Sequence, residues 1–241
     1  MSRKSELRVT PTPSNHKIDT ADLLNNGFNA MPAGLLLTGG ASRRMGRNKA
    51  LIKINGTSSS KLVAKQLSKV TSVQVEVGPG YSGLDSIEET GSGSGPLNAI
   101  ARGWEYLQSM GYQGPVLVAA CDLPLINYEL LNYLATHEGN KSVVPLLAGK
   151  TQPLCARWSS EALDEAIARF ETGERSLRWF PEADGVIIGN PDLISRLGGE
   201  VVLSDIDTPL DLEMCIVNAE KLSIATKSQI SGPSTYIKAL G

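Results

Sequence analysis

The chain has 241 residues, of which 41% are hydrophobic and 20% are charged, and its formal net charge is −2. This composition is that of an ordinary globular protein, and it excludes a strongly basic nucleic-acid-binding protein. No apolar stretch approaches the roughly 20 residues that span a bilayer, and three widely spaced cysteines form neither a disulfide framework nor a zinc pattern. We therefore expect a cytoplasmic protein with no nucleic-acid or membrane partner.

The two ends of the chain differ from its middle. Residues 1–31 contain the turn-prone run Thr10-Pro11-Thr12-Pro13 and show no sustained periodicity, which predicts a flexible N-terminal tail. Residues 32–220 alternate apolar strand patterns with amphipathic helix patterns and are predicted to form the folded domain. Residues 221–241 are polar and are predicted to be a C-terminal extension.

In the first half of this domain, strand and helix patterns alternate as β-α-β-α-β-α. Apolar strands are predicted at 33–38, around Val75, and at 116–120, where the unbroken apolar run is typical of a parallel strand covered on both faces. Helical spacing of apolar residues follows each strand. The last of these helices is predicted to begin after Asn127, a residue suited to cap it.

The second half has a mixed pattern. Ser142–Leu147 and Thr151–Trp158 are predicted to form a hairpin, and another strand is predicted at Glu200–Leu203. A helix is predicted to begin at Thr208, which is followed by a proline and, three residues on, by Asp211. The resulting fold class is an α/β three-layer sandwich with a mostly parallel sheet and an antiparallel strand. Ligands of such sheets bind beyond the carboxyl ends of the strands.

The loop after the first strand of the domain is the most informative segment. Gly39 and Gly40 let the backbone approach an anion closely. Arg43 and Lys49, with two further arginines between them, supply charge-assisted donors to phosphate oxygens. This order of residues predicts a loop that wraps around a triphosphate. The alternative is a strand followed by a basic surface loop.

Acidic residues follow two of the predicted strands. Asp122 comes directly after the apolar run 116–120, which suits a magnesium ligand, although a turn or helix-capping role is the alternative. Asp205 and Asp207 lie on the same side of an extended segment, so both can face the ion that Asp122 binds. The alternative is that Asp207 or Thr208 only caps the next helix, and capping can coexist with metal binding.

Other segments carry weaker signals. The glycine-rich run 91–97 opens a helix, which suits either an anion site or a wall against a base, and a flexible linker is the alternative. Arg175 and Arg178 can bind an acidic acceptor, although composition alone favours solvated charges at a helix end. Cys121 and Cys155 are interpreted as small core residues rather than nucleophiles.

Taken in this order, the motifs resemble those of the molybdenum cofactor guanylyltransferases, a family of the nucleotidyltransferase superfamily, over about residues 32–220. Four positions differ from the pattern of that family. Thr38 stands where the family usually has alanine, and Asn48 where aspartate is common. The closing motif has two aspartates where well-known guanylyltransferases have two asparagines, a version that also looks like cytidylyltransferases. The matching segments are Leu37–Lys49, Gly95–Leu97, Cys121–Pro124, Gln152–Leu154, Gly173–Arg178 and Asp205–Pro209.

The resemblance implies a Rossmann-like nucleotidyltransferase fold and transfer of GMP from GTP to molybdopterin, with release of pyrophosphate. Mg²⁺, or alternatively Mn²⁺, is the implied cofactor, and other molybdenum cofactor biosynthesis proteins or acceptor molybdoenzymes are the implied protein partners. The implied catalytic residues are Arg43, Lys49 and Asp122, the metal ligands Asp122, Asp205 and Asp207, and the acceptor-binding residues Arg175 and Arg178. The implied nucleotide-binding residues are Leu37, Thr38, Gly39, Gly40, Lys49, Glu89, Gly95 and Asp122.

Two alternative functions remain open at this point. The first is a cytidylyltransferase or a sugar-phosphate nucleotidyltransferase on the same fold, which nucleotide preference would distinguish. The second is a nucleotide-binding regulatory protein without catalysis, which would bind nucleotide and release no pyrophosphate. The joint presence of Lys49, Asp122 and the two closing aspartates favours an enzyme.

Overall fold

A mixed sheet forms the centre of the protein. The computed structural model describes residues 9–10, 31–39, 46–88, 95–180 and 185–230, with side chains from residue 31 to residue 224 of these ranges. The strands of the described ranges are β1 (Val9–Thr10), β2 (Ala33–Leu37), β3 (Lys53–Ile54), β4 (Thr57–Ser58), β5 (Gln74–Val77), β6 (Asp85–Ile87), β7 (Val116–Ala120), β8 (Ser142–Leu147), β9 (Lys150–Thr151), β10 (Cys155–Trp158) and β11 (Gly185–Ile188). The helices of the same ranges are α1 (Ser59–Leu67), α2 (Gly95–Ser109), α3 (Tyr128–Thr136), α4 (Ser160–Glu171), α5 (Pro191–Arg196) and α6 (Pro209–Ile230).

The strand order of the main sheet is β1-β6-β5-β2-β7-β10-β8-β11, and β9 pairs with β8. Strands β6, β5, β2 and β7 run parallel, whereas β10 lies antiparallel between β7 and β8. The predicted fold class is therefore confirmed: the sheet is mostly parallel with an antiparallel insertion. Strand β1 pairs antiparallel with β6 and forms the edge of the sheet, so a short part of the predicted tail belongs to the sheet.

Helices cover both faces of the sheet, which gives the three predicted layers. Helices α2 and α4 pack on one face, where Leu35 and Val118 belong to the same apolar cluster. Helices α1 and α3 pack on the other face with Leu36 and Leu117. All five residues of β2 and of β7 are buried, because successive side chains of a strand point to opposite faces and both faces are covered.

The predicted hairpin forms, but its second strand is divided. Ala148 and Gly149 have φ of +47° and +76°, as a two-residue hairpin turn between β8 and β9 requires. Residues 152–154 then form a turn, and Pro153 has no N–H to donate to a ladder. The chain consequently leaves the hairpin and enters the sheet as β10.

The predicted strand Glu200–Leu203 is wrong, because this segment is a 3₁₀ helix. Gly198 and Gly199 precede it with φ of +114° and +73°, so the chain enters the segment from a turn. Val202 and Leu203 are buried against α3 and α5 without pairing to the sheet. Their apolar character therefore reflects burial rather than strand pairing. None of the helices in the described ranges is long and apolar enough to cross a membrane.

Candidate active site

The carboxyl ends of β2 and β7 lie side by side and place two predicted site segments together. The N–H of Cys121 donates to the carbonyl of Leu37 at 3.0 Å, so the residue after β7 is bonded to the last residue of β2. Asp122 follows at this edge with its side chain 25% exposed. Because the strands are parallel neighbours, the start of the predicted triphosphate loop and the predicted metal ligand share one edge of the sheet.

A short 3₁₀ helix, Lys49–Leu51, brings the lysine of the loop to the same edge. The side chain of Asn48 caps it by accepting from the N–H of Ala50 at 3.0 Å. Two serines that open α1 bind the neighbouring backbone. Ser60 donates to the carbonyl of Ala50 at 2.8 Å, and Ser59 donates to the carbonyl of Cys121. These bonds fix the lysine helix relative to the end of β7.

Lys49 bridges two carboxylates at the centre of the site. Its ammonium donates to Oδ2 of Asp122 at 3.1 Å and to Oδ1 of Asp207. The lysine side chain is 17% exposed and that of Asp207 is 40% exposed, so the cluster opens to solvent on one side. Burial lowers the pKa of Lys49, but the hydrogen bond to Asp207 and the charge of Asp122 outweigh it and hold that pKa above its ordinary 10.5.

The closing acidic segment is held against Asp122 by its backbone. Ile206 is buried, and its N–H donates to the carbonyl of Asp122 at 3.0 Å. Thr208 and Asp211 form a reciprocal cap at the start of α6, with bonds of 3.2 Å from the N–H of Asp211 and 2.7 Å from the N–H of Thr208. The cap therefore comes from these two residues, while the carboxylate of Asp207 contacts Lys49.

Asp205 adds a third negative charge close to this cluster. Partial burial is the largest cause that raises its pKa, and the charges of Asp207 and Asp122 raise it further. No group of three His, Cys, Asp or Glu side chains in the described ranges is arranged closely enough to hold a metal ion. Of the three predicted ligands, Asp122 and Asp207 share the ammonium of Lys49, and Asp205 lies within electrostatic reach of both without completing a metal-binding group.

Replacing Asp205 by asparagine is expected to stabilise the ligand-free protein at neutral pH. A carboxyl whose pKa is raised on folding binds more protons in the native state than in the unfolded state. Its contribution to stability is therefore fully present below the unfolded pKa and is lost as pH rises through the folded pKa. Urea unfolding of Asp205→Asn should give a larger free energy of unfolding than wild type at pH 7.5, and this difference should shrink at pH 4. If the variant and wild type differ in free energy of unfolding by the same amount at pH 7.5 and at pH 4, the prediction is wrong.

The other predicted site residues are distributed as follows. Thr38 is buried at the end of β2, next to Gly39. Gly95 begins α2 with φ of +81°, and a side chain there would lie 3.5 Å from the carbonyl oxygen of Arg175. The acceptor segment thus borders the glycine-rich one. Three predicted residues lie outside the described residues: Gly40, Arg43 and Glu89.

The two predicted acceptor-binding arginines are exposed, and Arg175 is engaged locally. Its guanidinium donates to the carbonyls of Phe170 and Glu174 at 3.1 and 2.6 Å, and lies 4.4 Å from the centre of the Phe170 ring. These contacts fold Arg175 back onto the end of α4. Arg178 lies exposed beyond this turn, where its N–H donates to the Ser176 hydroxyl at 3.1 Å.

The cysteines are unsuited to nucleophilic roles. Burial raises the pKa of Cys121 and of Cys155 to about 12, and both thiols are free and buried. A thiol is a poor nucleophile under these conditions because the reactive species is the thiolate. Their interpretation as small core residues fits these surroundings.

Sequence reasoning missed Glu76, a fully buried acid in the middle of β5. Its carboxylate accepts from the hydroxyl of Thr38 and from backbone N–H groups that follow the strand. The available signal was a charged residue inside an apolar alternation, followed directly by the glycine-rich run 78–83. Such a loop has backbone donors that need an acceptor.

Comparison with known proteins shows the family to which the chain is related. A family model described as the MobA-like NTP transferase domain matches residues 34–184. A probable molybdenum cofactor guanylyltransferase of Pelotomaculum thermopropionicum is 29% identical over 197 residues, which cover 78% of this chain and 93% of that protein. Another, from Bacillus cereus strain G9842, is 27% identical over 157 residues, covering 60% of this chain and 76% of that protein.

A solved structure supports the fold. Molybdopterin-guanine dinucleotide biosynthesis protein A from Archaeoglobus fulgidus matches with a TM-score of 0.65 at 22% identity, over 78% of this chain and 99% of that one. The structural match gives the fold, that of the nucleotide-diphospho-sugar transferases, and the family model with the two relatives identifies the chain as a nucleotidyltransferase. More particularly, the chain belongs to the family of MobA-like NTP transferase domains, whose model matches more than half of its residues.

Proposed function

We infer that this protein is a molybdenum cofactor guanylyltransferase, which transfers GMP from GTP to molybdopterin. The supporting observation is the Lys49–Asp122–Asp207 cluster, which lies directly beside the start of the predicted triphosphate loop. The two relatives described above carry this activity in their names. In the reaction, a phosphate oxygen of molybdopterin bonds to the α-phosphorus of GTP, the bond from that phosphorus to the bridging oxygen breaks, and pyrophosphate leaves.

Within this function we assign the residues by charge and position. Leu37, Thr38, Gly39 and Gly40 form the backbone around the nucleotide, with Gly95 as a neighbouring wall and Glu89 as an acceptor for the base. Arg43 and Lys49 neutralise charge that develops on the phosphates. We assign Arg175 and Arg178 to the pterin phosphate, which requires the Arg175 side chain to leave its contacts with Phe170 and Glu174. Catalysis of this kind depends mainly on positioning and on charge neutralisation.

A divalent cation is part of the proposal, with Mg²⁺ preferred and Mn²⁺ as the alternative. Asp122 and Asp207 already converge on one cationic group, the ammonium of Lys49, and carboxylate oxygens are the ligands that Mg²⁺ takes. We assign Asp205 as the third ligand, and its carboxylate would have to move toward the other two, because the three are not close enough to hold an ion in the ligand-free arrangement. The ion would supply Lewis-acid stabilisation of phosphoryl oxygens. Lys49, displaced from the carboxylates, would then donate to phosphate.

A cytidylyl transfer is the second candidate, and a specific observation favours it. Asp205 and Asp207 form the two-aspartate version of the closing motif. Molybdopterin-dependent pyrophosphate release, measured in parallel with GTP and with CTP at fixed Mg²⁺, separates the two. We expect release with GTP and none with CTP.

The other outcomes of that measurement are equally informative. Release with CTP alone would overturn the guanylyl assignment and favour the cytidylyl one. Nucleotide binding without release would favour another acceptor, such as a sugar phosphate, or the regulatory alternative. Omitting molybdopterin is the control, because release without an acceptor would indicate hydrolysis rather than transfer. A cytoplasmic location and contacts with molybdoenzymes or biosynthetic partners stay predictions.

A further inference from the structure

A buried carboxylate joins two loops at the carboxyl edge of the sheet: the nucleotide loop that begins at Thr38 after β2, and the loop 78–84 after β5. Glu76 lies inside β5 and is 0% exposed. Its Oε1 accepts from the Thr38 hydroxyl and from the N–H groups of Gly80 and Tyr81, at 2.9 and 2.8 Å to nitrogen. Its Oε2 accepts from the N–H of Ser82 at 2.8 Å and from the hydroxyl of the same serine.

These bonds leave Glu76 no capacity to bind a substrate. A carboxylate has about four lone-pair sites, and this one accepts five hydrogen bonds while wholly buried. All five donors are neutral groups, one from Thr38 and four from residues 80–82. Removing the Thr38 donor still leaves four hydrogen bonds for the four lone-pair sites, so what is lost is the link between the carboxylate and the nucleotide loop. The role of Glu76 is therefore to hold other groups in place.

The two loops also touch directly. The N–H of Thr38 donates to the carbonyl of Val77 at 3.1 Å. At Gly78, where φ is +148°, an added Cβ would lie 2.2 Å from the Thr38 hydroxyl and 3.0 Å from the backbone nitrogen of Gly39. Glycine is therefore required for this approach. The backbone at Thr38–Gly39 consequently packs against the loop 78–84 that Glu76 organises.

We propose that Glu76 is a positioning residue, which sets the backbone of Thr38 and Gly39, the start of the nucleotide loop, before nucleotide binds. The proposal rests on the proposed function, since it assigns Thr38 and Gly39 to the nucleotide. A loop held in its bound geometry avoids the ordering penalty that a mobile loop pays on binding. Loss of the Thr38–Glu76 bond should therefore weaken GTP binding more than it slows turnover of bound GTP.

The test compares isosteric and hydroxyl-preserving variants at position 38. Thr38→Val removes the donor and keeps the shape, and we expect the Kd for GTP to rise about tenfold with kcat changed by less than about threefold. Thr38→Ser restores the donor and should recover most of the lost affinity. Binding is measured by calorimetry with GTP and Mg²⁺ without acceptor, and kcat by pyrophosphate release with molybdopterin.

Thr71→Val is the matched control, because Thr71 is equally buried and its hydroxyl donates to the carbonyl of Leu67 at 2.8 Å, away from the site. It should lower the melting temperature and leave the Kd for GTP unchanged. Ser82→Ala is a second test variant, since it removes a donor to Oε2 from a partly exposed loop and does not disturb the core. We expect it to raise the Kd for GTP about threefold.

The outcomes separate the two levels of inference. If the wild-type protein does not bind GTP, the proposed function fails, and the proposal about Glu76 fails with it. If wild type binds GTP and both Thr38→Val and Ser82→Ala bind it equally well, the positioning role of Glu76 is overturned. A loss of stability in Thr38→Val like that of Thr71→Val, with unchanged affinity, would likewise assign the bond to folding alone.

Discussion

Replacing Asp122 by asparagine is expected to reduce kcat/KM for molybdopterin-dependent pyrophosphate release by about a hundredfold to a thousandfold. The substitution keeps the shape of the side chain and removes the charge that faces Lys49 at 3.1 Å. It also removes a carboxylate oxygen that we assign to the divalent cation. The backbone bond from Ile206 to the carbonyl of residue 122 remains, so the closing segment keeps its anchor. Steady-state kinetics with GTP, together with thermal unfolding, measures the effect.

The control for this prediction is Glu220→Gln, which neutralises an exposed carboxylate on α6. It should leave both turnover and melting temperature close to wild type. Turnover of Asp122→Asn within threefold of wild type, in a protein that unfolds at the normal temperature, would refute the assignment of Asp122 to the reaction.

Substitution of Lys49 by glutamine is expected to have the second large effect, a loss of about a hundredfold or more in kcat/KM. It removes the positive charge between Asp122 and Asp207 and leaves these carboxylates, with Asp205 nearby, to repel one another. Without divalent cation the melting temperature should therefore fall. Added Mg²⁺ should raise the melting temperature of Lys49→Gln more than that of wild type, because the lysine no longer occupies the carboxylates.

Lys49→Arg is the matched control, since it keeps the charge but places it on a larger planar group. It should keep most of the stability without Mg²⁺ and respond to Mg²⁺ like wild type, while turnover falls. An equal Mg²⁺ response in wild type and Lys49→Gln would show that the cation does not use the carboxylates that Lys49 contacts. Retained turnover in Lys49→Gln would exclude a catalytic role for the lysine.

Local sequence determined those elements whose physical cause is also local. The apolar run of β7 predicts a parallel strand covered on both faces, and β7 is buried throughout and runs parallel to β2, although its other neighbour, β10, is antiparallel. Asn127 caps α3 by accepting from the N–H of Leu130, as its position predicts. The pairing of Thr208 with Asp211 fixes the start of α6 within four residues. In each case the apolar run or the capping hydrogen bond involves only residues that are close in sequence.

The assembly of the lysine–carboxylate cluster could be predicted in part. Asp122 follows a parallel strand, and the loop of Lys49 follows the neighbouring strand, so both belong at the carboxyl edge. The sequence did not indicate that Lys49 itself would bridge Asp122 and Asp207. That contact depends on Ser59 and Ser60, whose bonds to the end of β7 and to the lysine helix join segments far apart in sequence.

Three features were decided by the tertiary structure alone. Strand β10 inserts antiparallel between β7 and β8. Its position depends on pairing with β7, which lies 35 or more residues earlier in the chain. Glu200–Leu203 forms a 3₁₀ helix because its apolar residues meet α3 and α5 rather than a sheet edge. The local sequence shows Glu76 only as a charged residue within an apolar strand, and its hydrogen-bond partners are identified by the fold.

The sequence by itself determined the α/β class, most strand and helix positions, and the residue types that we propose for binding phosphate and metal. These follow from periodicity, capping and side-chain chemistry, which act over a few residues. The tertiary structure decided which side chains share the site and what holds them there. Burial of Glu76 is tolerated only because donors from two separate loops converge on it, and convergence of that kind exists only in the folded chain.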